Sequence, residues 1–382
     1  MTFRFVTRRI CDFAAGVALA GIVVLATSSP SDAAVISTII SNGYDFTNFD
    51  PSITAPAVGS NVNGISNAGT VVGTLVDANN ASTFSNFSGP PTNLTPLNNG
   101  TGVIAVSGPV AFGINSSGAV VGGTGTNAFY LPAGGPPQVL PGPPGATNAF
   151  GINDAGAIVG QFMSGALTPG FVLPSIGSNS FITINAPVGP DVVNPQGINN
   201  NGLVVGFYLG TDGQTHGFTT SVAGVTPGQS VTGTAVADPI IPNVAGEPGA
   251  TFVFSQLLGV NSMGLVAGYY GDSTGSQHGF LYNSKTGTYT FLDDPAAAFS
   301  NGVEATQITG INNFGEIAGF YTDAQGIAHS FVACPTGSTC TATATPEPSS
   351  YTLLLAGLTG LAVLRRRRPR VQDSVLRSAS AS

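Results

Sequence analysis

Positive charge is almost missing from this chain. Between Ala34 and Leu364 there is one basic residue, Lys285, and no arginine. Tryptophan is absent, and cysteine, methionine and histidine occur three times each. Only 7% of the 382 residues are charged, and those of 34–345 are fourteen carboxylates against that one lysine. Such a surface cannot neutralise phosphates, which excludes nucleic acid as a partner. An anionic polymer would need bridging cations. Away from the two ends there is no run of ten or more residues with helical apolar spacing. Nor do the glycines fall on a three-residue period, which excludes a collagen-like rod.

What the chain has instead is glycine and proline, 53 and 27 of them, among many Val, Ile, Phe and Thr. That mixture predicts short strands joined by tight turns. The length is enough for a sizeable core.

The basic residues sit at the ends. Arg4, Arg8 and Arg9 precede an apolar run from Phe13 to Ala26, followed by small residues. This is the order of a secretion signal, expected to span 1–33 and to be cut after Ala33 or Ala26. A retained N-terminal anchor is the alternative. The Arg8-Arg9 pair lacks the rest of a twin-arginine motif, so the general secretion machinery is the expected route.

The other end reads TPEPSSYTLLLAGLTGLAVLRRRRPR from Thr345. Pro346, Glu347 and Pro348 come first, then an apolar run from Tyr351 to Leu364, then Arg365, Arg366, Arg367 and Arg368, with Arg370 close behind. Fourteen helical residues rise about 21 Å, short of the ~30 Å hydrocarbon core. Snorkelling and local thinning let such a segment span, and arginines resist translocation and stay cytoplasmic. The three parts, in this order over 346–370, resemble the PEP-CTERM sorting signal. That resemblance implies recognition and processing by a membrane-embedded exosortase, in a Gram-negative-type bacterium that makes exopolysaccharide. The twelve residues after Arg370 make a longer tail than such signals usually have.

Cys334 and Cys340 are the cysteines left after signal removal, with five residues between them in CPTGSTC. In an oxidising compartment they could close a small disulfide loop or stay as free thiols. The spacing, without a nearby His or further Cys, is poor for zinc. The Thr/Pro-rich stretch behind them reads as an extended linker.

One motif is written six times between the ends. The copies are GISNAGTVVGTL from Gly64, GINSSGAVVGGT from Gly113, GINDAGAIVGQF from Gly151, GINNNGLVVGFY from Gly197, GVNSMGLVAGYY from Gly259 and GINNFGEIAGFY from Gly310. They are 49, 38, 46, 62 and 51 residues apart, the range of repeat folds. Glycine stands at offsets 0, 5 and 9 in every copy, and Asn at offset 2 in five of six. The Asn side chain is expected to cap a turn and the offset-5 Gly to take positive φ. The offset-9 Gly leaves room for a close neighbour. A third strand carries His216, His278 or His329, each 19 residues after its first Gly, and a fourth follows in FITINAP (181–187) and YTFLDDP (289–295).

Four short strands per copy predict an all-β repeat protein, a six-bladed β-propeller. The segment FTNFDPSITAP from Phe46 looks like a fourth strand with no copy before it. It is expected to complete the last blade and close the ring, with an open β-solenoid as the alternative. The long gap implies a loop from Ser221 to Pro239. The copies resemble the bacterial extracellular HAF repeat over about 44–333, which implies location and architecture but no activity.

The expected organisation is therefore a signal helix (1–33), the repeat region (34–333), a linker (334–348), the anchor helix with its Arg cluster (349–370) and a cytoplasmic tail (371–382).

Chemistry is sparse. The three histidines fit either a metal site or a repeated structural bond to a turn. Gly271-Asp272-Ser273-Thr274-Gly275 matches G-x-S-x-G, but in an expected hairpin turn rather than between strand and helix. Asp77, Asp272 and Asp323 recur at offset 13, with Asp212 nearby. Turn formation or loop-bound calcium would each explain them. The adjacent Asp293 and Asp294 should face opposite ways, unlike a glycosidase pair. No catalytic residue, metal ligand or cofactor is assigned. The expected role is structural or binding, in an exopolysaccharide matrix, with neutral glycans or matrix proteins as partners. A glycan-modifying enzyme is the alternative, and would need acids from several blades to converge at the central channel.

Overall fold

A computed structural model describes residues 34–50, 57–77, 81–85, 97–98, 103–104, 110–124, 126–242 and 247–338. The expected signal helix, the anchor helix with its sorting residues, and the tail lie outside them. The described residues are all-β, without a helix, so none among them is long and apolar enough to cross a membrane.

Each copy of the motif is a turn between two antiparallel strands. The fifth copy shows the plan: Phe252–Val260, Leu265–Asp272, Gln277–Asn283 and Thr288–Leu292 pair in that order. The second, third and fourth copies also have four strands each in sequence order. In the first copy the described strands are Ala57–Ile65, Val71–Asp77 and Ala81–Ser85.

The last copy is completed from the other end of the chain. Tyr44–Asp50 pairs antiparallel with Ala328–Pro335, with Phe46 opposite Ala333 and Asn48 opposite Phe331. Ala34–Ser41 pairs with Tyr44–Asp50 and forms the outer edge. The strand role expected of the segment from Phe46 is thus what the structure has. The Ser221–Pro239 stretch corrects an expectation. Instead of a loop, it supplies Ser230–Thr232, parallel to Ile182–Asn185 of the third copy, and Thr234–Ala235, the outer strand of the fourth. Those pairs lie across sequence gaps, so local pattern does not announce them.

The three glycines of the motif answer three different demands. At offset 5, the turn needs positive φ, as at Gly264 (φ 83°). At offset 9, space decides. A Cβ on Gly206 would lie 2.0 Å from the Asn194 carbonyl oxygen and 2.8 Å from the Phe218 ring. Phe129, Phe171, Phe280 and Phe331 sit against the equivalent glycines, and all five rings are buried. At offset 0, the next copy decides: a Cβ on Gly151 would meet the Gln196 carbonyl at 2.6 Å. The same carbonyl contact runs from Gly64 to Phe112, Gly113 to Phe150 and Gly197 to Leu258, while Gly259 meets the Gly310–Ile311 backbone at 3.0 Å and Gly310 meets the Gly64–Ile65 backbone at 3.2 Å. Each copy thus touches the next at this glycine, and the sixth touches the first, in a β-propeller-like arrangement.

Two alanine substitutions separate space from backbone conformation. Gly213 has φ +82°, and nothing lies within 4 Å of where a methyl group would sit, so Gly213→Ala should cost about 1 kcal/mol. Gly206→Ala should cost at least about 3 kcal/mol, because a rigid carbonyl oxygen must move. Similar small losses for both in chemical denaturation would refute the packing role of the offset-9 glycine.

Candidate functional site

The turn asparagine does more than its sequence role. Asn115 Oδ1 accepts from the N–H groups of Ser117 (3.2 Å) and Ala119 (3.0 Å), which caps its own turn. Its Nδ2 donates to the Asn153 carbonyl of the next copy (3.2 Å). The same cross-copy bond runs from Asn153 to Asn199 (3.1 Å), Asn199 to Asn261 (2.9 Å), Asn261 to Asn312 (3.2 Å) and Asn312 to Ser66 (3.2 Å). Ser66, the one exception at offset 2, caps its own turn through Oγ to the Thr70 N–H (3.1 Å) but has no amide to pass on.

Offset 3 bridges that gap. Asn67 Nδ2 donates to Ser116 Oγ (2.7 Å), Ser116 N–H to Asp154 Oδ1 (2.8 Å) and Asp154 N–H to Asn200 Oδ1 (2.9 Å). On the far side, Ser262 N–H donates to Asn313 Oδ1 and Asn313 N–H to Asn67 Oδ1, both at 2.8 Å. Asn201 Nδ2 to the Ser262 carbonyl (3.0 Å) spans the remaining seam. Burial works against the Asp154 carboxylate, but bonds from Asn200 and Ser116 outweigh it and hold its pKa below the usual value.

Inside these rings runs a channel with a cavity of about 230 Å³. Every copy has a β-bulge one residue before its first glycine, at Asn63, Phe112, Phe150, Gln196, Leu258 and Thr309. A bulge re-aims a side chain, and all six bulged residues line the channel. No charged residue lines it among the described residues. The convergence of acids that a glycan-modifying enzyme would need is therefore not found on the channel's described wall. Sequence reasoning missed these six positions because their identities differ, and a motif search discards what varies.

Carboxylates do converge elsewhere, on a histidine. His278 is 1% exposed. Its Nε2 meets Glu247 at 3.1 Å and Asp272 at 3.9 Å, and its Nδ1 meets Asp293 at 2.9 Å and Glu304 at 3.8 Å. Asp272 ends the second strand, Asp293 follows the fourth and Glu304 belongs to the approach to the next copy. Burial alone would lower the His278 pKa. Asp293 and Glu247 overcome it, by hydrogen bond and charge, and raise it to about 9. Burial, with the charge of Asp293, raises Glu304. Glu247, His278 and Glu304 offer ligand atoms within 4.8 Å of one another, but both ring nitrogens are already engaged by carboxylates. The arrangement is an ion-pair cluster around a buried imidazole, with Glu247 and Asp272 buried beside it and Asp293 and Glu304 partly exposed.

A lighter version recurs. His216 lies between Asp212 (3.0 Å from Nε2) and Asp238 (2.9 Å from Nδ1), and His329 Nε2 meets Asp323 at 3.1 Å. Each imidazole also packs on the tyrosine opposite it, at 5.9 Å for Tyr208–His216, 5.1 Å for Tyr270–His278 and 5.4 Å for Tyr321–His329. The turn aspartates act on turns: Asp272 Oδ1 accepts from Thr274 and Ser276 N–H, Asp323 Oδ1 from Gln325 and Ile327, and Asp212 Oδ1 from Gln214. The side chain of Asp77 lies outside the described residues.

Ser273, in the GDSTG match, sits in the turn between two antiparallel strands, and its Oγ accepts from the Thr251 N–H (3.0 Å). No helix follows it, so it is not a nucleophile elbow. Asp294, adjacent to Asp293, has a different partner. It is 2% exposed and accepts from Asn48 Nδ2 (3.1 Å), and burial raises its pKa to about 6. Cys334 is buried and disulfide-bonded. Cys340 lies outside the described residues, as do Pro346, Glu347, Pro348 and Arg365 to Arg368.

The raised His278 pKa gives a signed pH dependence. The folded form holds its proton more tightly than the unfolded chain. That stabilisation is complete below about pH 6.5 and is lost as pH rises towards 9. His278→Gln should cost about 3 kcal/mol near pH 6, because carboxylates are left buried without their cation. Its fall in Tm between pH 6 and pH 9 should be smaller than that of the unaltered protein. Equal falls in both would remove His278 from this role.

The comparisons with known proteins bear on the end of the chain. A family profile described as the PEP-CTERM protein-sorting motif matches residues 344–368. No curated protein matches the chain. Among solved structures, a putative TolB from Agrobacterium tumefaciens is 11% identical with a TM-score of 0.37, covering 57% of this chain and 79% of that one. The lectin of Aleuria aurantia in complex with alpha-methyl-L-fucoside is 12% identical with a TM-score of 0.35, covering 73% and 96%. A puromycin-hydrolyzing peptidase of Mycobacterium tuberculosis is 11% identical with a TM-score of 0.32, covering 79% and 53%. At such low similarity these three carry nothing about what the chain binds. The chain carries a PEP-CTERM protein-sorting motif at 344–368, which implies sorting to the cell surface or beyond by an exosortase.

Proposed function

We propose that this chain is a six-bladed β-propeller built of HAF-like repeats, secreted and sorted to the cell surface, with a structural or binding role in the extracellular polysaccharide matrix. The observation that carries the reading is the sorting motif at 344–368 on a chain whose repeats form a ring. The six glycine contacts around one axis favour a closed propeller over an open solenoid. The N-terminal strand beside Ala328–Pro335 favours it too. The near-absence of basic residues between the two ends fits a region that must cross a membrane while both ends are held back. A non-enzymatic role fits a described channel wall without charged residues and a buried His278 whose two ring nitrogens are both engaged by carboxylates.

Removing Ser349 to Ser382 tests the sorting step. The shortened protein should appear in the culture medium, while the full chain is found with the membrane and cell surface. Retention of the shortened protein in the membrane fraction would overturn this reading.

A further inference from the structure

The channel is the feature that the sorting motif leaves without a role. Its framework is uniform: six glycines, six bulges, and Ile or Val at offset 1 in every copy. The bulged side chains are not uniform. Phe112 and Phe150 adjoin on one side, with rings 5.1 Å apart and inclined at 59°. Asn63, Gln196 and Thr309 interrupt the apolar wall elsewhere. The lining also includes Phe207, Tyr269 and Phe320 with Gln256 and Gln307.

The polar groups are only partly used. Asn63 spends Nδ2 on the Ala111 carbonyl (2.9 Å), which leaves its Oδ1 as an acceptor. Gln256 spends Oε1 on the Tyr269 hydroxyl (2.9 Å), which leaves its NH2 as a donor. Gln196 has no partner for either end of its amide among the described residues, and it lines the channel. Tyr269 is a neutral phenol, since burial pushes its pKa to about 12.

We propose that this channel binds a neutral saccharide. Unused amide donors and acceptors match hydroxyl groups, which both give and accept hydrogen bonds. The aromatic faces suit the apolar C–H faces of a sugar ring. A charged ligand would be stripped of water against a wall with no counter-charge. A purely apolar one would leave the amides unsatisfied. The volume of about 230 Å³ lies below the ~300–1,000 Å³ of drug-sized pockets, which limits the occupant to one or two rings. This deepens the matrix-binding reading by naming its site and ligand class, and rests on that reading only for the source of the sugar.

The test uses the full chain. Glucose, galactose, mannose and a neutral disaccharide are titrated by calorimetry and by ligand-observed NMR, beside glucuronic and galacturonic acid. At least one neutral sugar should bind with Kd of about 1 mM or tighter. The uronic acids should bind at least about tenfold more weakly. Gln196→Leu and Phe150→Ala should each weaken the neutral sugar about tenfold or more, with Gln196→Leu keeping the Tm of the parent. No binding of any neutral sugar would overturn the proposal, as would uronic acids that bind equally well. Sugar binding unchanged in both variants would also overturn it, by placing the glycan site elsewhere. None of these failures affects the sorting test on Ser349 to Ser382, and retention in that test leaves the channel result standing.

Discussion

One side-chain amide holds two copies at once. In five of the six turns, the offset-2 asparagine bonds its own backbone through oxygen and the next copy's carbonyl through nitrogen. A single residue thus fixes both the local turn and the distance between neighbours. The glycines at offset 0 depend on that distance, because contacts such as 2.6 Å from a Gly151 Cβ position to the Gln196 oxygen exclude any side chain. The bulges, and through them the channel, depend on the glycines. Where Ser66 lacks the amide, offset 3 carries the seam through Asn67 and Ser116. The seam at the imperfect copy therefore keeps a side-chain hydrogen bond of its own.

This explains which parts were legible in the sequence. Gly264 and Asn261 act within one turn, so their roles follow from residue type and spacing. The same holds for Gly206 and Phe218, which meet across two adjacent strands. The closing strand was legible because Phe46 begins a fourth-strand pattern with no copy before it. The cross-copy amide bond was not, since nothing in Asn-x-x-Gly says what faces its free nitrogen. The channel wall was hidden for a related reason. Asn63, Phe112, Phe150, Gln196, Leu258 and Thr309 share a backbone conformation but no chemistry, so they look like noise beside glycines of fixed spacing.

The histidine clusters show a similar limit. Equal spacing of His216, His278 and His329 from their glycines pointed to one shared role, and the tyrosine beneath and the turn aspartate beside each ring are shared. Yet only His278 has Glu247 and Glu304 as well. Glu247 comes from the insertion after the fourth copy, and Glu304 from the approach to the sixth. Their convergence depends on how sheets pack, which spacing within a copy cannot show.

The strand that completes the last sheet has a consequence for maturation. Tyr44–Asp50 comes early in the chain and pairs with Ala328–Pro335, so the ring cannot shut until nearly all of the repeat region has been made and delivered. Until then the earlier sheets wait with an open seam. It also sets a boundary for any protease acting at the N-terminus. A cut at Ala26 or Ala33 leaves the closing strand whole. A cut past Tyr44 would unfasten the last sheet from its partner and reopen a ring that had already been sealed.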